Sequence, residues 1–235
     1  MRARPWAVLV TSEHGGNDVP SEHRALFRGY RALLDSHRGW DPGTLDLAGR
    51  MASALAAPLV ASTVTRLLVD LNRSPHNPRV FSEVTRALPR EDRRALLERW
   101  HSPHWDAARA ALDRGTRASR RVLHLGIHSF TPILNGMTRR PDVALLYDPA
   151  RASERDLAVA WARALSAALP ECVVGRNDPY RGNTDGLATA MRRQRPASKY
   201  VGIEVEINQR HVGRSGRFPV WVADALLETL SEVLA

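Results

Sequence analysis

Short β-branched and aliphatic runs alternate along this chain with longer stretches whose apolar residues recur every three or four positions, and that alternation is its strongest constraint. The runs Ala7–Thr11, Leu59–Thr63, Arg66–Leu71, Val122–His128, Val143–Tyr147, Cys172–Gly175 and Tyr200–Ile207 read as strands. Helical spacing marks Leu45–Ala56, Glu91–Ser119, Ser153–Leu169 and Trp221–Leu234, most clearly between Asp92 and Leu112, where Leu96, Leu97 and Trp100 share a face. Helices interleaved with strands in this way must cover a sheet on both sides. The expected fold class is therefore α/β, a three-layer sandwich with a mixed, mostly parallel central sheet. No repeat, low-complexity tract or linker interrupts the 235 residues, so a single domain over 1–235 is expected.

Composition narrows the partners. No apolar run approaches the roughly 20 residues that span a bilayer. The apolar part of MRARPWAVLV is too short for a signal peptide, so the expected compartment is the cytoplasm. A lone Cys172 rules out an internal disulfide and a multi-cysteine zinc site, leaving His, Asp and Glu as the ligands for any metal. The formal charge of +9 raises the question of nucleic acid. Nearly all of the positive charge is arginine, with Lys199 the only lysine, a skew that base composition of a genome produces as readily as a binding surface. The arginines are scattered and often sit beside acids, as in Glu91-Asp92-Arg93-Arg94 and Glu98-Arg99, which disfavours a nucleic-acid role. A substrate with several negative charges suits the balance equally well.

Four of the strand-like runs carry concentrated polar chemistry, where open α/β sheets place their sites: SEHGGN after the first, DLNRSPHNP after the third, HSFTP after the fourth and EVEINQ within the last. His14, with Gly15 and Gly16 letting the backbone bend closely, is either a turn histidine or a ligand. His128 closes a run in which His124, Gly126 and His128 share one face by the strand period of two. Two strand-end histidines without competing cysteines are raw material for zinc, which in a catalytic site takes about three protein ligands and keeps one position open. On one ion their ring nitrogens should lie within about 5 Å of each other. The third ligand is Asp41 in HRGWD, or Asn17 or Asp18.

Glu204, Glu206 and Asn208 alternate with Val205 and Ile207. Such a face is ordinarily solvated, but a strand this apolar on its other side belongs in the middle of a sheet. A carboxylate there, near a metal, can take a proton from activated water. Asn72 and Arg73 present an amide and a forked guanidinium suited to a substrate carboxylate, unless Arg73 simply pairs with Asp70. Tyr180 and Arg181, in the turn NDPYRG, are within reach of a ligand on the same reading.

Taken together and in order, EHGGNDVP, HRGWDPG, DLNRSPHNP, HSFTPILNG, NDPYRG and IEVEINQ make the chain resemble the N-formylglutamate amidohydrolase family from end to end. That family is similar to the zinc carboxypeptidase and aspartoacylase hydrolases, and the resemblance implies a phosphorylase/hydrolase-like sandwich and one zinc ion. It implies His14 and His128 as metal ligands, Glu206 as general base, and Asn72 and Arg73 as the grip on the substrate carboxylate, with Arg73 or Tyr180 helping to stabilise the oxyanion. The implied partner is a small-molecule N-acyl amino acid, N-formyl-L-glutamate in the type reaction. Two departures matter. The carboxypeptidase-type first motif has Glu three residues after its histidine where this chain has Asn17, which favours Asp41 as the carboxylate ligand with Asn17 behind it. IEVEINQ also offers two glutamates, and spacing to Asn208 and Gln209 favours Glu206 over Glu204.

Overall fold

The structure is a computed structural model that describes residues 6–118 and 121–235. The chain runs β1 (Trp6–Ser12), a 3-10 turn at Ser21–Phe27, α1 (Arg31–Leu34), α2 (Thr44–Ala54), β2 (Leu59–Ala61), α3 (Arg90–Leu96), α4 (Ser102–Ala118) and β3 (Arg121–Phe130). It continues through a hairpin of β4 (Ile133–Leu134) and β5 (Met137–Thr138), β6 (Val143–Leu146), α5 (Ala152–Ala168), β7 (Val174–Arg176), α6 (Leu187–Gln194), β8 (Tyr200–Asn208) and α7 (Val220–Leu234).

Six strands lie in the order β2-β1-β3-β8-β6-β7. The first four are parallel, β6 runs antiparallel to β8, and β7 is parallel to β6. This is the mixed, mostly parallel sheet that the alternation requires. Its two faces are covered by different helices. Leu123, Leu125 and Ile127 of β3 and Val201, Ile203, Val205 and Ile207 of β8 pack against α2, α5 and α7, where Trp161 is buried and donates Nε1–H to Thr229 Oγ1 at 2.9 Å. On the other face Leu9, Val122 and Tyr200 meet Trp105, Ala108 and Leu112 of α4 and Leu187 and Met191 of α6. Fully burying one such aliphatic side chain contributes about 1.5–3 kcal/mol.

One expected strand is absent. Arg66–Leu71 is an irregular segment beside the sheet, although Leu67, Leu68, Val69 and Leu71 are buried. Its backbone groups bond outside any ladder: Asp70 N donates to Val80 O, Thr85 Oγ1 to Leu68 O, and Trp105 Nε1 to Leu71 O. A short continuous apolar run signals burial rather than conformation, and here satellite clusters with Phe27, Leu34, Leu96 and Val80 supply the burial. The long helix expected over Glu91–Ser119 also divides, its last residue lying outside the described residues. Between α3 and α4 the stretch Leu97–His101 forms a π-helical turn, in which Ser102 N–H bonds to Leu97 O. Pro103 lacks an N–H and would clash with the carbonyl four residues back, so a wider turn at this point relieves an interior proline.

The β4–β5 hairpin turns at Asn135 and Gly136 with φ of +51° and +77°, the left-handed pair that a two-residue hairpin favours. Among the described residues no helix is long and apolar enough to cross a membrane.

Candidate active site

The face of the sheet under α4 and α6 changes character along its length. In register, Val122 lies beside Tyr200, His124 beside Gly202, Gly126 beside Glu204, and His128 beside Glu206. The first half is closed core. There His124 is held between Thr11 Oγ1 (2.9 Å) and Tyr200 OH (2.7 Å), and burial pushes its pKa down to about 4. The second half lies beyond the helices, under the loops that follow β1 and β3 and the loop that carries Asn72. Gly126 keeps this end open, since a Cβ there would stand 3.3 Å from Glu204 Cγ and 3.6 Å from His128 Nε2.

Three side chains from three distant segments converge at that end. His14, Asp41 and His128, all buried, each offer a ligand atom within 4.8 Å of the others. Both histidines turn Nδ1 towards Asp41 Oδ2, at 3.4 Å for His14 and 3.1 Å for His128. Each also has a carboxylate at its other ring nitrogen. His14 Nε2 lies 2.7 Å from Asp70 Oδ1, and His128 Nε2 lies 3.1 Å from Glu13 Oε2. A carboxylate on the outer nitrogen fixes the ring and leaves the inner lone pair for a cation, which is how metal-binding histidines are supported. Two imidazoles and a carboxylate are also a donor set that zinc accepts. The group fits a metal ion.

The surrounding charges make the same point. Burial alone would raise the pKa of Asp41, but His14, His128 and Arg66 hold it well below the usual carboxylate range. Burial likewise opposes ionisation of Asp70, and Arg66 and His14 outweigh it. His128 is pulled the other way: burial disfavours its charged form, yet Asp41 and Glu13 raise its pKa well above the ordinary value. Glu206 differs from its neighbours. Its Oε2 is buried without a hydrogen-bond partner, and burial, with Asp41 and Glu204 adding, pushes its pKa up to about 8. Glu13 is buried too, and neither oxygen makes a well-oriented hydrogen bond, though His104 Nε2 approaches to 3.7 Å.

Glu204 accepts from Asn72 Nδ2 at 3.3 Å. Asn72 Oδ1 in turn accepts from Leu187 N at 2.9 Å, tying the head of α6 to the site. The amide therefore positions Glu204, and its grip on a substrate has no unused acceptor behind it. Arg73 donates from Nη1 to Asp185 O at 3.1 Å, and its Nε lies 4.0 Å from Asp70 Oδ2, so the Asp70–Arg73 pair forms only at the limit of ion-pair distance. Asp70 belongs to Arg66, at 2.8 Å, which also reaches Asp41 at 3.4 Å. Tyr180 accepts from Arg139 Nη1 at 2.7 Å, with that guanidinium stacked 4.8 Å from its ring centroid. Arg73, Tyr180, Arg181, Glu204 and Glu206 line one chamber of about 150 Å³ with the three metal-type ligands.

Two alternative ligands offered by the sequence fall away. Asn17 faces away, donating to Leu34 O and Asp35 Oδ1, and Asp18 is exposed and bridged to Val64 through its backbone, so neither joins His14. A Cβ on Gly16 would stand 2.6 Å from Thr63 O, so this glycine permits close packing of the loop on the next segment. Arg66, Asp70 and Glu13 were not foreseen as parts of the site. Glu13 adjoins His14 in sequence and could have been weighed, whereas Arg66 and Asp70 were hidden by reading their segment as a strand.

Solved structures with this fold place the chain in a class. It superposes on a gene product from Agrobacterium tumefaciens with a TM-score of 0.79 and 26% identity, covering 97% of this chain and 90% of that one. The N-formylglutamate amidohydrolase from Ralstonia eutropha JMP134 shares the fold with a TM-score of 0.68 and 20% identity, over 99% of this chain and 92% of that one. Both likenesses show the fold, an α/β sandwich. The family model for N-formylglutamate amidohydrolase matches residues 6–212, and the chain belongs to that family. No curated protein matches it closely enough to count as a relative.

Proposed function

We propose that this protein is a zinc-dependent amidohydrolase that cleaves the acyl amide of an N-acyl amino acid, the type reaction converting N-formyl-L-glutamate and water to formate and L-glutamate. Family membership supports the reaction class. The observation that carries the mechanism is the meeting of His14, Asp41 and His128 with the raised carboxyl of Glu206 in one buried chamber. His14, Asp41 and His128 would hold the ion, whose chemistry is Lewis acidity that lowers the pKa of water towards about 7.

The chain's own residues do the rest. Glu206 takes a proton from the attacking water and returns it to the leaving nitrogen as the acyl carbon–nitrogen bond breaks. A cation nearby works against the rise in its pKa, so the carboxyl is poised to accept as well as donate. Arg73 offers its fork to the substrate carboxylate. The Tyr180 hydroxyl, already accepting from Arg139, has its own proton to donate to the developing oxyanion. Asn72 holds Glu204 aside.

Metal analysis of the purified protein, followed by a screen of N-formyl and N-acetyl amino acids, tests the reading. Glu206→Gln should keep its metal content while turnover falls by about a hundredfold or more. Near-normal turnover in that variant, with turnover lost in Glu204→Gln instead, would give the base role to Glu204.

A further inference from the structure

The inner chamber is small. At about 150 Å³ it falls short of the roughly 300–1,000 Å³ typical of ligand pockets. It is continuous with a second cleft of about 480 Å³, because Asp41, Arg66, Arg73, Ser129 and Tyr180 line both. A substrate whose amide lies at Glu206 therefore has further built space outward past Arg73.

That outer cleft has a definite chemistry. Arg38, Arg66, Arg73, Arg79 and Arg86 line it, against Asp41, Asp70 and Glu83. The acids are already engaged. Glu83 is held by both prongs of Arg38 at 2.7 Å, and Asp41 and Asp70 face His14 and Arg66. Among the described residues no carboxylate lies within ion-pair distance of Arg79 or Arg86, and both are exposed. The local field shows at His37 on the same wall. After burial, the nearby guanidinium groups of Arg139, Arg38 and Arg66 are what hold its pKa down. Between the charges lie Leu67, Phe81, Phe130 and Leu134, apolar surface that suits methylene stems ending in anionic groups.

We infer that the site also takes N-acyl acidic peptides of two or more residues, with the outer cleft binding the additional carboxylates through Arg79 and Arg86. This rests on the amidohydrolase reading for the position of the scissile bond. The binding step can be tested apart from catalysis.

The probes are tri-L-glutamate and its neutral isostere tri-L-glutamine, titrated calorimetrically into the metal-loaded full chain. Wild type should bind triglutamate about tenfold more tightly than triglutamine at low salt, and the gap should shrink as ionic strength rises. Arg79→Ala/Arg86→Ala should narrow the gap to about twofold, and Arg79→Glu/Arg86→Glu should abolish or reverse it, while N-formylglutamate hydrolysis persists in both. Equal binding of the two peptides by wild type overturns the inference, as does a gap that survives the double substitution. If the peptide preference is present but no N-acyl substrate is cleaved, the cleft stands and the proposed reaction falls. If N-formylglutamate is cleaved without peptide preference, the reaction stands and the cleft assignment falls.

Discussion

Two groups of buried charge sit within this fold and are built on opposite plans. Around Glu154 both carboxylate oxygens are hydrogen-bonded, and two guanidinium groups, those of Arg192 and Arg151, face it. Arg192 Nε lies 3.0 and 2.9 Å from its two oxygens, Gly202 N and Asp148 N donate to it, and the remaining arginine nitrogens reach Gly182 O, Thr189 Oγ1 and Gly202 O. Around His128 the hydrogen bonding is left open: Glu13 and Glu206 are both buried, and three of their four oxygens are enclosed without a well-oriented hydrogen bond, although Glu13 faces His128 at 3.1 Å. Stability alone explains the first arrangement. It does not explain the second, because an unpaired buried carboxylate is costly and persists where a proton, a cation or a substrate is to be handled.

The contrast can be broken from either side. Arg192→Met should be the most damaging change, leaving Glu154 with Arg151 as its one cation and the carbonyls of Gly182 and Gly202 without their donor, and lowering stability by about 3–5 kcal/mol in urea denaturation. A small loss there would mean that the closed network is not structural.

The His124 triad, also closed, predicts a pH dependence. Its folded pKa, about 4, lies below the ordinary 6.5, so the unfolded chain takes up a proton that the folded ring refuses. Its contribution is complete above about pH 6.5 and is lost as pH falls towards 4, at most about 3 kcal/mol. Denaturation midpoints at pH 7, 5.5 and 4 should fall less steeply in His124→Asn than in wild type, and equal slopes would sink the assignment.

The smallest effect on the fold belongs to the open group. Glu13→Gln keeps the shape and removes the charge that orients His128, so zinc affinity in a chelator competition should drop about 10–100-fold. The metal-free melting temperature should stay near wild type. The reverse pattern would move Glu13 into the same category as Glu154.

Much of this was legible beforehand. β1, β3 and β8 are long, β-branched and flanked by turn residues, so their existence and the common face of His124 and His128 follow from period two. His14 and His128 were legible as a pair of candidate ligands because zinc chemistry restricts donors once cysteine is excluded, whereas Asp41 stood among three alternatives and was favoured by the family resemblance. What escaped detection depends on tertiary context. Arg66 and Asp70 meet as an i,i+4 ion pair only because their segment is not a strand. Helix α6 follows a turn-rich stretch, and Asn72, distant in sequence, caps its first turn. The π-helical turn that carries His101, whose Nε2–H donates to Arg73 O at 2.8 Å, leaves no period of its own in five residues.

The reversal of β6 has a consequence for how such a scaffold can diversify. Because β3 leaves and β6 enters at the same end of the sheet, the chain need not return across the sheet through a crossover helix between them. The β4–β5 hairpin and Arg139 thus form a self-contained canopy whose exposed Ile133 and Met137 contribute nothing to the core. Lengthening or recolouring that canopy changes what the entrance admits while the sheet beneath stays as it is. Novelty in substrate choice can arise there by local insertion, without renegotiating the packing that holds His128 and Glu206 side by side.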